Sequence, residues 1–214
     1  MLDCRFAPDK LFEVQAGDSA LVLVTGATGF LGAELVRALC ANGLPAHRLR
    51  CVVRNRTRAV ASGVPEASIL EGDLTDPGVL ATAAQGVGLV YHLAGTLKAS
   101  RSSGYLAVNA TATQRLVAAL ERHANAAHVV LVSSLAAAGP SVDGSGSTAQ
   151  PQDCRPVSAY GESKRLGEVA LVRSQLAWSI LRPPVVYGPG DAATRLLFRQ
   201  ACSDRKSTRL NSSH

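Results

Sequence analysis

Tyr160 and Lys164, four positions apart, form the most chemically suggestive pair in this chain. Both fall at the start of a stretch, 158–176, with helical spacing, so they share one face a turn apart. A phenol with an ordinary pKa of about 10 is a poor base at neutral pH. An ammonium beside it favours the phenolate and brings proton transfer to or from a hydroxyl within working range. A second feature is the string Thr25-Gly26-Ala27-Thr28-Gly29-Phe30-Leu31-Gly32. At this spacing Gly26 allows a tight turn, Gly29 lets the backbone approach a pyrophosphate, and Gly32 lets a helix pack closely on the strand before it. The free N–H groups at the helix start, aided by the helix dipole, then hold the anion.

Both features need a frame to bring them together, and the hydrophobic pattern supplies one. Residues 20–25, ALVLVT, read as a short strand buried on both faces, and 30–42 switch to helical spacing with Leu31, Leu35, Val36 and Leu39 on one stripe before Gly43. The alternation repeats. Strands are expected near 48–53, 67–71, 87–93, 127–133 and 178–182, and helices near 76–84, 104–123 and 158–176. Such alternation means βαβ units and an α/β fold, a doubly wound parallel sheet covered on both faces. One long connection, 139–157, is rich in Gly, Ser and Pro, as functional loops often are. His92, late on a strand, reads as a core histidine with one satisfied nitrogen.

In open sheets of this kind the ligand lies at the carboxyl ends of the strands, where strand order reverses. The second strand ends at Val53 and Arg54 comes next, with Arg56 and Arg58 close behind. An acid there would bind the ribose hydroxyls of NAD, whereas an arginine clamps the 2′-phosphate of NADP. NADP is therefore the expected cofactor, with NAD the alternative.

Six motifs now stand in order: TGATGFLG; Gly72-Asp73-Leu74; His92-Leu93-Ala94-Gly95; Ser133-Ser134; Tyr160-Gly-Glu-Ser-Lys164; and Arg182-Pro-Pro-Val-Val-Tyr-Gly-Pro-Gly190. Over about residues 20–200 the chain resembles the extended short-chain dehydrogenase/reductase family, nearest to 3β-hydroxysteroid dehydrogenases and dihydroflavonol reductases. The resemblance implies a Rossmann fold and a site in which Tyr160 exchanges the proton of a substrate hydroxyl while hydride moves to or from the nicotinamide. It implies that Lys164 also holds the nicotinamide ribose, that Ser134 orients the carbonyl, and that Asn109 supports the lysine or a relay water. Gly26, Thr28, Gly29, Phe30, Leu31 and Gly32 would cradle the cofactor, Asp73 and Leu74 would sit by the adenine, and Leu93, Ala94, Gly95 and Pro183 would line it. Ser134 is preferred to Ser133 for its spacing to Gly139. Leu135 and Ala136 replace the acid pair of the family's sugar-nucleotide dehydratases, and Ala138 replaces a Tyr of the epimerase string. These departures point to a ketone/alcohol oxidoreductase acting on a cyclic small molecule. A sugar-nucleotide epimerase is the alternative within the family, and a non-catalytic NADP-binding module the alternative outside it.

Composition narrows the field further. Hydrophobic residues make up 47% and charged residues 18%, ordinary for a globular protein, while 4% aromatics leave Ala, Val and Leu to build the core. Five cysteines, none in a CxxC pair, fit neither a disulfide framework nor a zinc site and suggest a reducing cytoplasm. No signal peptide or membrane span is read, and no metal site. The net charge of +6 is read as solvated surface charge, since no aromatics interleave with the basic residues and no nucleic-acid motif occurs. Expected partners are thus a small-molecule substrate, no nucleic acid and no membrane. The resemblance also implies a homodimer through a helix pair that includes the Tyr160/Lys164 helix. The expected organisation is an N-terminal extension (1–18), a dinucleotide-binding domain (19–188) and the start of a truncated substrate lobe (189–203). Residues 204–214 read as the in-frame translation of a sequencing adapter.

Overall fold

The computed structural model describes residues 20–97, 99–141, 150–188 and 191. The chain divides into two compact units, 1–184 and 185–214. The first contains the whole sheet and every residue of the candidate site. The expected extension, the lobe start apart from Asp191, and the tail lie outside the described residues.

Six parallel strands form one sheet: β1 (Leu21–Thr25), β2 (Leu49–Val53), β3 (Ile69–Glu71), β4 (Val87–His92), β5 (His128–Val132) and β6 (Ala177–Leu181). Their order is β3-β2-β1-β4-β5-β6, the doubly wound arrangement expected, with the reversal between β1 and β4. Between the strands run α1 (Phe30–Ala41), α2 (Arg56–Ala61), α3 (Pro77–Ala84), α4 (Ser102–Tyr105), α5 (Ala112–His123), α6 (Leu135–Ala138) and α7 (Ala159–Val172).

Alternation along the strands creates two cores. Val22 and Val24 face one side with Cys51 and Val53, under Val36 and Leu39 of α1. Leu23, Val52, Val90, Val129 and Leu131 face the other, under Leu80 of α3, Leu116 and Leu120 of α5 and Leu171 of α7. Among the described residues β6 pairs only with β5, and it leaves Trp178 and Leu181 exposed.

The expected elements are present with shifted bounds, and each shift has a local cause. The strand expected at 67–71 begins later because Glu66–Ser68 makes a 3₁₀ turn, with Ser68 Oγ donating to the Pro65 carbonyl at 2.7 Å. Helix α2 has no counterpart among the expected elements: Asn55 caps it by accepting the Arg58 N–H at 2.7 Å, so a basic stretch that reads as loop is helical. The single helix expected over 104–123 is three segments, since a π-helical turn spans Leu106–Thr111 between α4 and α5. No helix among the described residues is long and apolar enough to cross a membrane.

Candidate active site

The loops at the carboxyl ends of all six strands, with the helical segments after β4 and β5, carry the residues singled out by the sequence. After β1 the chain turns at Gly26, whose φ of +76° lies in the region glycine favours. A side chain there would also meet the Ala94 nitrogen at 2.7 Å, so the loop after β4 packs directly on the turn. A Cβ on Gly32 would collide with the Gly26 carbonyl, so α1 starts as close to the turn as backbone allows. Gly29 is the N-cap of α1, makes no side-chain cap bond, and no acid stands in the first turn. The contrast with α3 and α7 is instructive. Asp76 caps the first by accepting from Gly78 and Val79, and Ser158 caps the second by accepting from Gly161. Helix α1 alone of these three opens with uncapped N–H groups, which suits a bound phosphate. Thr28, Phe30 and Leu31 stand half-buried around this opening.

Arg54 is exposed after β2 and acts on Asp73 across the loop after β3. Asp73 is held by its neighbour: one carboxylate oxygen accepts from Thr75 N at 2.8 Å and Thr75 Oγ1 at 2.7 Å. These bonds, more than Arg54, hold its carboxyl below the usual range. Arg56 is engaged elsewhere, with Glu66 and Glu71, which leaves Arg54 as the arginine at the strand end. Leu74 packs half-buried on the core beneath α3 and α5, and Leu93 on the core beneath α1.

Ser134, Tyr160 and Lys164 come together beyond β5. Ser134 caps α6, its Oγ accepting from Ala136 N at 3.2 Å, and its hydroxyl lies near enough to the Tyr160 phenol to favour the phenolate. Ser133 is buried with its hydroxyl unpartnered. Lys164 is 7% exposed and donates from Nζ to the Val132 carbonyl at 2.7 Å, which draws it under the end of β5. Burial lowers its pKa to about 8, partly opposed by Glu168. A Cβ on Gly95 would lie 3.0 Å from Asn109 Oδ1 and 3.6 Å from Lys164 Nζ, which places both side chains beneath the exposed Gly95. The Tyr105 ring stands edge-on to Tyr160 with centroids 5.9 Å apart. One expectation needs correcting. Tyr160 is shifted up, not down: burial dominates, the nearby Ser134 hydroxyl opposes it, and Tyr105 adds to it. Lys164 gives one of its three N–H donors to Val132, and Ser134 is the group that favours the phenolate.

Asn109 lies in the π-helical turn and is 2% exposed. Its Oδ1 accepts from Thr96 N at 2.8 Å, while Nδ2 donates to the Thr96 carbonyl at 3.1 Å and to Ser163 Oγ at 3.0 Å. It therefore clamps the loop after β4 to α7. His92 also differs from expectation, because both ring nitrogens are satisfied. Thr113 Oγ1 donates to the Asn109 carbonyl at 2.8 Å, so it must accept from His92 Nε2–H, also at 2.8 Å. His92 Nδ1 then accepts from Thr25 Oγ1 at 2.6 Å, and that oxygen accepts the Ala94 N–H at 3.2 Å. A buried chain thus runs from the glycine turn to Asn109. Burial and the nearby Lys164 push the His92 pKa down to about 3, so the ring is neutral.

Several residues of the site escape sequence reasoning. Gly161 is one: a Cβ there would collide with the Ala136 carbonyl, so it admits the close packing of α6 on α7 that joins Ser134 to Tyr160. Its place next to Tyr160 was the available signal. Thr25 and Ser163 stand inside quoted motifs that do not announce their partners, and Thr113 carries no pattern at all. Pro183 sits half-buried after β6 and accepts from Leu135 N at 3.0 Å. Among the described residues no three His, Cys, Asp or Glu side chains gather to hold a metal, and Cys40, Cys51 and Cys154 form no disulfide.

The family model for the NAD dependent epimerase/dehydratase family matches residues 22–208. A ceramide reductase of Caulobacter vibrioides is 38% identical over 181 residues, 85% of this chain and 51% of that protein. A 3 beta-hydroxysteroid dehydrogenase/Delta 5-->4-isomerase of Mycobacterium tuberculosis is 29% identical, covering 92% of this chain and 59% of its own length. Among solved structures, MoeE5 in complex with UDP-glucose and NAD superposes with a TM-score of 0.66 at 30% identity, over 84% of this chain and 59% of that one. The dTDP-glucose 4,6-dehydratase DesIV of Streptomyces venezuelae, with NAD bound, gives 0.70 at 28% identity, over 86% and 62%. The chain thus spans 51% to 59% of the length of these two curated relatives.

Proposed function

The chain belongs to the NAD dependent epimerase/dehydratase family, and from that premise we propose that the protein transfers hydride between a nicotinamide dinucleotide and a ketone or secondary alcohol of a cyclic small molecule. The observation that carries the reading is the close packing of α6 on α7 at Gly161, which sets the Ser134 hydroxyl by the Tyr160 phenol beside buried Lys164, one strand from the sheet's reversal point. A dinucleotide fits the backbone that faces this point. The turn at Gly26 and the start of α1 leave no room for a Cβ, and the N–H groups there are uncapped. When bound, the nicotinamide supplies or accepts the hydride. Ser134 orients the substrate oxygen, Lys164 donates to the ribose, and Tyr160 moves the proton. Tyr160 is a phenol at neutral pH, as its ordinary pKa of about 10 requires and burial reinforces, and the phenol is the form that protonates a nascent alkoxide.

Leu135 and Ala136 after Ser134 supply no acid pair for dehydration. The names of the ceramide reductase and the hydroxysteroid dehydrogenase agree with oxygen redox chemistry. Likeness to sugar-nucleotide complexes such as MoeE5 favours epimerisation as the second reading. One assay separates them, made on the protein at the length of its relatives. Oxidation of added reduced cofactor by cyclic ketones supports the reductase. Turnover of UDP-sugars without added cofactor, from tightly retained NAD, would replace it with the epimerase. A protein that binds cofactor yet does neither would be the non-catalytic module, against which the assembled Ser134, Tyr160 and Lys164 argue.

NADP is the proposed cofactor, on the strength of Arg54 at the end of β2 and the absence of an acid at 53–58. Arg54→Asp should reverse the preference, since losing a charge-assisted contact costs about 1.5–3 kcal/mol. Tighter binding of NADH than NADPH by the unmodified protein would sink the assignment.

A further inference from the structure

Glu168 is fully buried, one turn beyond Lys164 on α7, and no step of the proposed reaction uses it. Its carboxylate is gripped by Arg182 from the end of β6: Nε donates at 3.0 and 3.3 Å and the second guanidinium arm at 2.7 Å. Buried ion pairs of this kind are poor stabilisers, because desolvating both charges offsets most of their attraction and apolar partners of the same size serve as well. What the pair does hold is position. Arg182 lies between two residues tied to the segment that carries Ser134: Ser133 N donates to the Leu181 carbonyl at 2.7 Å, and Leu135 N to the Pro183 carbonyl at 3.0 Å. Ser134 therefore belongs to a short ladder that is fastened to α7, and so to Tyr160 and Lys164, by the Arg182–Glu168 pair.

Charge gives a second, independent reason. The groups facing Lys164 are the neutral ring of His92 from β4, the Val132 carbonyl from β5, and Glu168 on its own helix. Arg182 from the end of β6 reaches the same anion, as do Arg165 on α7 and the thiol of Cys154 beside them. Glu168 is the anion that acts on Lys164, where burial disfavours the ammonium.

We propose that Glu168 is a positioning residue for the reaction centre: it supplies the counter-charge that keeps the Lys164 ammonium available to the cofactor, and through Arg182 it sets Ser134 against Tyr160. The inference rests on the roles proposed for Ser134, Tyr160 and Lys164. A stabilising role alone would lower the melting temperature and leave the pH dependence of binding where it was. The two therefore separate.

The test is a titration of NADPH and NADH between pH 6.5 and 10, with steady-state kinetics, on the protein at the length of its relatives. In the unmodified protein affinity should fall through an alkaline limb near pH 8, absent in Lys164→Met, because the lysine titrates there. Glu168→Gln keeps the size and one acceptor for Arg182 but removes the charge. Its limb should move down by about one pH unit, and kcat at pH 6.5 should drop on the order of tenfold with KM for cofactor within about twofold. Arg182→Lys, which leaves Glu168 an anion, should lower kcat with the limb unmoved. Should Glu168→Gln not fold, Glu168→Asp withdraws the charge by one methylene and should move the limb the same way by less. A Lys164-dependent limb that the foldable Glu168 variant leaves in place overturns this inference alone. A protein that binds neither nucleotide overturns the functional reading, and this one with it.

Discussion

The turn at Gly26–Gly32 offers a ligand backbone, while the cluster at Ser134, Tyr160 and Lys164 offers side chains. The turn is defined by atoms that are not there: one Cβ on Gly26 would strike Ala94, and one on Gly32 would strike Gly26. The cluster is defined by polar atoms each tied to another, Lys164 to Val132, Asn109 to Thr96 and Ser163, Ser134 to Ala136, with the Tyr160 phenol beside Ser134. The two regions should therefore fail in opposite ways. Adding atoms damages the first, and removing them damages the second. Binding of an anion asks only for N–H groups, whereas moving a proton asks for a group that can change its charge.

The largest effect is expected from Tyr160→Phe, which deletes one oxygen and no packing. Turnover in the protein at its relatives' length should fall about 10²–10⁴-fold with cofactor affinity retained. Near-normal kcat would show that the proton is moved by something else. Gly26→Ala is the mirror case, one methyl added where φ is +76°. Left-handed strain and the clash with Ala94 together should cost about 2–5 kcal/mol, read as a lowered unfolding midpoint and weaker nucleotide binding. An unchanged midpoint would mean that the turn yields to the extra methyl and is not closely packed.

The chain through His92 joins the two regions, and its acid sensitivity tests that link. The folded pKa of about 3 lies below the unfolded value of about 6.5. The unfolded chain thus takes up a proton that the folded one refuses, and stability is complete above about pH 6.5 and lost as pH falls toward 3. At pH 4.5 the loss from this residue should be about 2–3 kcal/mol by urea denaturation, and His92→Gln should abolish that part of it. Equal pH sensitivity in both proteins would refute the assignment. The smallest effect is expected from Ser158→Ala, which removes the cap that Gly161 N donates to at 3.0 Å. About 1 kcal/mol of stability should go, with kcat changed far less than by Tyr160→Phe.

The reach of sequence reasoning divides along the same line. Gly26 and Gly32 stand out because little besides a phosphate-binding turn demands glycines at that spacing between a buried strand and a helix. Tyr160 and Lys164 stand out because helical geometry alone puts them on one face. The order of the sheet is accessible from strand–helix alternation and the handedness of crossovers. Burial and distant partners are out of reach. Proximity to Lys164 predicts a Tyr160 shifted toward phenolate, and the opposite shift comes from how deeply its ring is enclosed. The second partner of His92 is Thr113, 21 residues on, and nothing local announces it. Glu168 reads as an ordinary polar position of a helix until Arg182 is seen against it. The π-helical turn is hidden because the segments on either side of it each keep helical spacing, and the short upstream one has too few apolar residues to show a change of phase.

That extra residue is a phase slip. Successive residues of an α-helix are rotated by about 100°, so a turn wide enough for one more residue puts the upstream segment out of step with the downstream one. Downstream, Leu116, Val117 and Leu120 keep time with the sheet they cover. Upstream, Ser102–Tyr105 keep time with the loop after β4 and with Tyr160, which Tyr105 meets edge-on. Asn109 sits at the slip itself, able to face Thr96 and Ser163 because it answers to neither rhythm alone. Deleting one residue between 106 and 108 would restore a regular helix and leave the downstream core in register. Everything ahead of the deletion would swing by a quarter-turn or more.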